Sequence, residues 1–251
     1  MKKCIKNLHQ YNWWMLLMLP AWVFVCFFAS QIIITFLIWV LSLVNISYDS
    51  INENLFNTLY AAVVYLLTLF FVIIVPLLIK KSKINKDDIG LSRLPNWTDI
   101  LITPAGLIIY LIFSSLLILL ATRVIPWFDA NQVQNTGFSQ FSQRYEYVLA
   151  FLTLVVIAPI AEEILFRGYL YGKLKKYVPI WVAILATSIL FGAIHGAWNL
   201  ILDTFALSII LCLLRDYTGS IWASILLHML KNGIAFYILF IYPSLLVAIV
   251  K

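Results

Sequence analysis

Residues 11 to 48 contain no Asp, Glu, Lys or Arg. An uncharged run of that length exceeds the roughly 20 apolar residues with which a helix crosses a bilayer. It is also too long for the apolar part of a signal peptide, so it reads as a retained anchor. Pro20 is a candidate kink, and Trp13 and Trp14 suit the membrane interface. The pattern then recurs: apolar runs occupy 55–79, 100–122, 147–171, 179–197, 200–214 and 221–239, and a further short run, 240–250, contains Pro243.

Such runs fold into helices, because a backbone in lipid must satisfy its own hydrogen bonds. The expected fold is an all-α, polytopic membrane protein, a bundle of about eight transmembrane helices. Composition agrees: 63% of the 251 residues are hydrophobic, 11% are charged, and the mean hydropathy is +0.98. No polar segment is long enough for a soluble domain, and no internal repeat or Gly/Ser linker divides the chain. Residues 1–251 therefore read as one transmembrane domain.

The net charge of +6 is not a nucleic-acid footprint, because the lysines sit in short loops between apolar runs. They act as topology signals. The N-terminal Lys2, Lys3 and Lys6, the group Lys80 to Lys86, Lys173 to Lys176, Arg215 and Lys251 all fall on one side. Excess Lys and Arg marks cytoplasmic loops, so the N-terminus is expected in the cytoplasm, with a bacterial plasma membrane as the host bilayer. Arg123 and Arg144 are exceptions, in a polar external loop with Asn131, Gln132, Gln134, Asn135, Gln140 and Gln143. Cys4, Cys26 and Cys212 show no metal or redox spacing, and no disulfide is expected.

Charged groups inside apolar runs are costly and mark function by default. The run 147–171 contains Glu162, Glu163 and Arg167. Glu163 and Arg167 are four apart and share a helix face, where they can neutralise each other. Glu162 is turned by about 100° from its neighbour and lacks that partner. Glu163–Arg167 therefore reads as structural and Glu162 as the reactive carboxylate, against the plain alternative of a charge pair at a membrane edge.

Two of the three histidines also lie in apolar runs. His195 follows Phe191 by four residues, and Gly192 and Gly196 beside them form a small-xxx-small pair that lets another helix approach. His228 and Asn232 are four apart and point the same way. Any one of these is an ordinary interhelical hydrogen-bonding residue. A glutamate, two histidines and an asparagine on three separate spans point instead to a site.

In order and spacing, Glu162-Glu163-x-x-x-Arg167, Phe191-x-x-x-His195 and His228-x-x-x-Asn232 resemble the motifs of the CAAX protease and bacteriocin-processing family, which includes the Rce1-type prenyl-protein endopeptidases. The resemblance covers about residues 148–236, within a motif-bearing core at about 147–239. It implies a metal-independent glutamic endopeptidase acting on a peptide or membrane-protein substrate. By position, Glu162 would be general base to a water, His195 would help hold and activate it, and His228 and Asn232 would stabilise the oxyanion. Glu163, Arg167 and Phe191 would support them. The residue types suit these tasks: a carboxylate accepts a proton, and two donors on one helix face can aim at developing charge.

Rival readings stand beside this one. Glu162, His195 and His228 make a possible three-ligand zinc set, although His-Glu-x-x-His is absent; no cofactor is otherwise expected. Ser208 and Cys212 lack a base nearby in sequence. A non-catalytic immunity or scaffold protein would keep the motifs, and a transporter would place polar residues at midplane, though no paired halves are visible. Asp203 is a candidate partner for Lys231, which otherwise snorkels, and Asn199 is a candidate support for His195. With about 1.5 Å of rise per residue, Glu162, His228 and Asn232 fall nearer the basic side, so a cavity open to the cytoplasm is expected.

Overall fold

The computed structural model describes residues 11–44, 51–80, 89–130, 132, 138, 141 and 143–244. Readings that rest on Lys2, Lys3, Cys4, Lys6, Lys81, Lys83, Lys86, Asn131, Gln134, Asn135, Gln140 and Lys251 fall outside the described residues.

Among the described residues, six helices are long and apolar enough to cross a membrane: α1 (Met15–Leu43), α2 (Glu53–Ile79), α3 (Trp97–Val124), α4 (Arg144–Tyr177), α6 (Trp198–Thr218) and α7 (Trp222–Ile241). A shorter apolar helix, α5 (Ile180–Ala193), lies between α4 and α6. The chain is an all-α, polytopic membrane protein. The predicted eighth run begins at Phe240, but Phe240 and Ile241 are the end of α7, and residues 245–250 lie outside the described residues.

The helix starts are written locally. Asn52 caps α2, its side-chain oxygen accepting from the amides of Asn54 and Leu55. Asn96 and Asp99 form a reciprocal capping box at the start of α3, which satisfies amides that have no partner in the first turn. Glu146 accepts from the Gln143 amide at the start of α4 and also from the Asn52 side chain, tying the starts of α2 and α4 together. Helix α6 ends at Gly219, whose φ of +68° is the left-handed stop that glycine adopts without strain.

Buried and exposed residues are arranged for lipid. Leu17, Met18, Ile32, Leu66, Leu101, Ile112 and Leu119 point outward, whereas Glu146, Glu162, Glu163, Arg167 and His228 are buried. A soluble protein hides its apolar side chains and exposes its charges; here the reverse distribution makes an integral membrane protein. One core cluster joins Phe166, Leu170, Tyr171, Leu174, Ala183 and Phe191. A second joins Tyr110, Leu207, Leu211, Ala223 and Leu227. Helix α6 packs against α5, α3 and α7, while α4 packs against α2 and α7. Gly192 admits the close approach of α5 and α6, since a Cβ there would stand 2.8 Å from the Ile201 carbonyl oxygen. Gly196, expected to share that task, instead forms the turn after α5 with φ +78°.

One end of the bundle is rich in basic residues, with Lys173, Lys175, Lys176, Arg93 and Arg215, while Arg123 and Arg144 stand at the other end. Lys175 pairs with Asp216 at 2.7 Å, the Asn12 amide donates to the Tyr177 carbonyl, and Trp222 donates through Nε1 to the Arg93 carbonyl. At the other end, the Asn199 side chain donates to the carbonyls of Ala130 and Gln132. Asn199 thus anchors a loop to the start of α6 and does not support His195.

Candidate active site

Helix α4 is not uniform. Two stretches of wider π-type turns, Leu152–Ile157 and Ile164–Tyr171, flank a short α-helical segment, Ala158–Glu163, that ends in the two glutamates. π-bulges add a residue to a turn and recur at functional sites. This one has a local cause and a consequence. The Ala158 amide donates five residues back, to Thr153. In the same pattern the donor for the Leu154 carbonyl would be residue 159, which is proline and has no N–H. The side chain of Asn232 donates to that carbonyl instead, at 2.9 Å.

Glu163 and Arg167 pair as their spacing predicted. Arg167 Nη1 lies 2.8 Å from Glu163 Oε1, and both side chains are fully buried. The guanidinium also stacks on the Phe191 ring at 4.3 Å from its centroid. The same Oε1 lies 2.9 Å from His228 Nδ1. A carboxylate oxygen accepts, so Nδ1 is the donor, and the ring turns Nε2 toward Glu162, 3.8 Å from its Oε2. That separation is too long for a direct hydrogen bond.

Glu162 faces a different direction from Glu163. Its Oε1 accepts from the Tyr65 hydroxyl of α2 at 2.5 Å. His195 sits just beyond α5, with Nδ1 2.7 Å from the Phe191 carbonyl oxygen. A carbonyl can only accept, so Nδ1 carries the hydrogen and the neutral ring keeps Nε2 as its acceptor. The Phe191 ring meets His195 at a tilt and His228 edgewise, with centroids 5.0 and 5.8 Å away, and so contacts both imidazoles.

Glu162, His195, His228 and Asn232 all line one cavity of about 400 Å³, together with Tyr65 and Lys231. Lys231 pairs with Asp203 at 3.3 Å, and Asp203 also accepts from the hydroxyls of Tyr110 and Ser114. The cavity corrects one expectation. Its other lining residues include Leu154, Ala158, Leu200, Thr204, Leu239 and Phe240, which lie from the site toward the end of the bundle opposite the basic residues. The cavity therefore rises away from the lysine-rich end, not toward it. Among the described residues, no group of three or more His, Cys, Asp or Glu side chains is placed to hold a metal ion. Cys26 and Cys212 are buried free thiols.

Residues 144–234 match the family described as "Type II CAAX prenyl endopeptidase Rce1-like". Over these residues the chain belongs to the Rce1-like family. The Rce1-like region contains Glu162, Glu163, His195, His228 and Asn232, with Glu162, Glu163 and His228 buried and His195 half-buried.

The chain is also similar to bacterial proteins. It is 29% identical over 125 residues to the uncharacterized protein YpbD of Bacillus subtilis, covering 47% of this chain and 61% of that one. An uncharacterized 24.3 kDa protein of Escherichia coli is 33% identical over 89 residues, 34% of this chain and 41% of the other. YdiL of Bacillus subtilis, named as a candidate membrane peptidase, is 31% identical over 77 residues, 31% of this chain and 32% of its own. The matches thus span less than two thirds of each relative's length. No solved structure matches. Tyr65 lies before the Rce1-like region, and no motif pointed to it.

Proposed function

We propose that this protein is an intramembrane endopeptidase of the Rce1-like kind, using a water activated by Glu162 and His195. One observation carries the reading: Glu162, His195, His228 and Asn232, from separate parts of the chain, line a single cavity. The peptidase description of YdiL agrees with it.

In this mechanism a water lies between Glu162 Oε2 and His195 Nε2. Glu162 takes its proton while the oxygen adds to the peptide carbonyl carbon. The resulting oxyanion is met by the amide hydrogen of Asn232 that Leu154 does not use and by His228 in its doubly protonated form, in which Nδ1–H donates to Glu163 and Nε2–H is left to donate to the oxyanion. Collapse breaks the carbon–nitrogen bond, and the proton held on Glu162 passes to the leaving amine. Atoms balance as hydrolysis by one water, with no cofactor. Glu163 and Arg167 do not touch the reacting atoms; they fix the His228 ring and the end of the glutamate segment.

The basic end is read as cytoplasmic, which places the N-terminus inside. The cavity then admits a peptide or membrane-protein segment from the outer side. Comparative peptidomics of membranes carrying the wild-type or the Glu162→Ala protein tests the function. The expected result is a set of cleavage products present with wild type and missing with the variant. Identical peptide profiles from two equally abundant proteins would overturn it.

A further inference from the structure

Helix α2 lies wholly outside the Rce1-like region, yet it supplies the hydroxyl bonded to Glu162. We propose that Tyr65 is a positioning residue that occupies Glu162 Oε1 and so reserves Oε2 for the proton of the attacking water. The proposal rests on the reading of Glu162 as the general base.

Three observations lead to it. First, the phenol donates to Oε1 at 2.5 Å, while Oε2 is the oxygen turned to His228, with Nε2 at 3.8 Å. The two oxygens of one carboxylate thus have different surroundings. Oε1 is taken by a donor from α2, and Oε2 faces the second imidazole. Second, Tyr65 and Glu162 together line both the main cavity and a smaller, mostly apolar pocket enclosed by Val23, Phe24, Leu165 and Leu190. Their hydrogen bond is part of the wall between the two spaces and turns the carboxylate toward the larger one. Third, α2 is fixed on both sides of Tyr65. Asn52 bonds to Glu146 of α4 at the helix start, and Val72 is fully buried in the core beyond it.

A phenol suits this task chemically. It donates a charge-assisted hydrogen bond to an anionic carboxylate, and its own proton is not given up near neutral pH. It can therefore steer the carboxylate without competing for the water's proton. When Oε2 takes that proton, the bond at Oε1 persists, and the proton stays on the side from which the leaving amine collects it. The plain alternative is a buried tyrosine that has merely found an acceptor, as buried tyrosines do. The alternatives differ in kinetics. A positioning role affects the chemical step, whereas a packing role affects stability.

The test compares wild type, Tyr65→Phe and Glu162→Gln as purified full-length proteins in proteoliposomes. The probe is an internally quenched peptide built on a sequence that wild-type membranes cleave. Tyr65→Phe keeps the ring and removes the hydroxyl. The expected result is kcat lower by about 10–100-fold, the size of one hydrogen bond to a charged group, with KM and the unfolding midpoint unchanged. An independent readout is infrared difference spectroscopy. The carboxylate band that vanishes in Glu162→Gln is expected to shift in Tyr65→Phe. A fully active Tyr65→Phe protein beside an inactive Glu162→Gln protein would overturn this proposal and leave the general base in place. A Tyr65→Phe protein that loses activity only in step with its unfolding midpoint would overturn it too. A fully active Glu162→Gln protein would overturn the general-base reading on which it rests.

Discussion

His228 is held by Glu163: the imidazole Nδ1 lies 2.9 Å from the carboxylate Oε1, the same oxygen that Arg167 reaches at 2.8 Å. One buried oxygen thus joins a histidine of α7 to an arginine one turn further along α4. Glu163→Gln keeps the shape of the side chain but removes the charge opposite a fully buried guanidinium. Breaking a buried pair from one side costs about 3–5 kcal/mol. The expected outcome is a marked fall in yield and in the unfolding midpoint. Thermal unfolding in detergent checks it, and an unchanged midpoint would count against the structural role.

Besides the oxyanion role proposed for it, Asn232 has a structural task. Its side chain covers the Leu154 carbonyl that Pro159 leaves without a backbone donor. Asn232→Ala leaves a part-buried acceptor without its donor, which costs up to about 1–3 kcal/mol. Pro159→Ala returns the missing N–H. The double variant Pro159→Ala/Asn232→Ala is therefore expected to recover much of the stability lost in Asn232→Ala, without recovering activity. Equal unfolding midpoints for the single and double variants would show that Pro159 does not create the vacancy.

These residues show what the sequence made legible. Four-residue spacing on a helix was enough to pair Glu163 with Arg167 and to leave Glu162 apart, because that geometry is local. The placement of charges in apolar runs marked the Rce1-like region, and Lys231 pairs with its candidate partner Asp203. Tyr65 was not legible, since an aromatic residue in an apolar run is ordinary and its partner is 97 positions away. The π-turns of α4 were hidden for a related reason: a change of hydrogen-bonding pattern leaves no mark in composition. The cavity's direction was not legible, because the ends of an apolar run are not the ends of its helix. Helix α4 runs over Arg144–Tyr177, and the residues that open the cavity lie beyond the site on α4, α6 and α7.

The direction of the cavity is itself testable. Ala235 lines it, on α7 one turn beyond the site and away from the basic end. In a variant lacking Cys4, Cys26 and Cys212, Ala235→Cys is expected to react with a membrane-impermeant thiol reagent from the outer side and to resist it from the cytoplasmic side. Labelling from the cytoplasmic side alone would show that the bundle has the opposite orientation in the membrane.

The most direct measurement is the turnover of Glu162→Gln in proteoliposomes, in the presence of a strong chelator, with the quenched peptide cleaved by wild type. The amide matches the carboxylate in shape but cannot take the water's proton. The predicted result is a folded protein with wild-type unfolding behaviour, turnover reduced by at least about 10²-fold, and a wild-type control that stays active under chelation. Wild-type turnover by Glu162→Gln, or wild-type activity that chelation abolishes and zinc restores, would contradict the assignment of Glu162 as the base of a metal-independent protease.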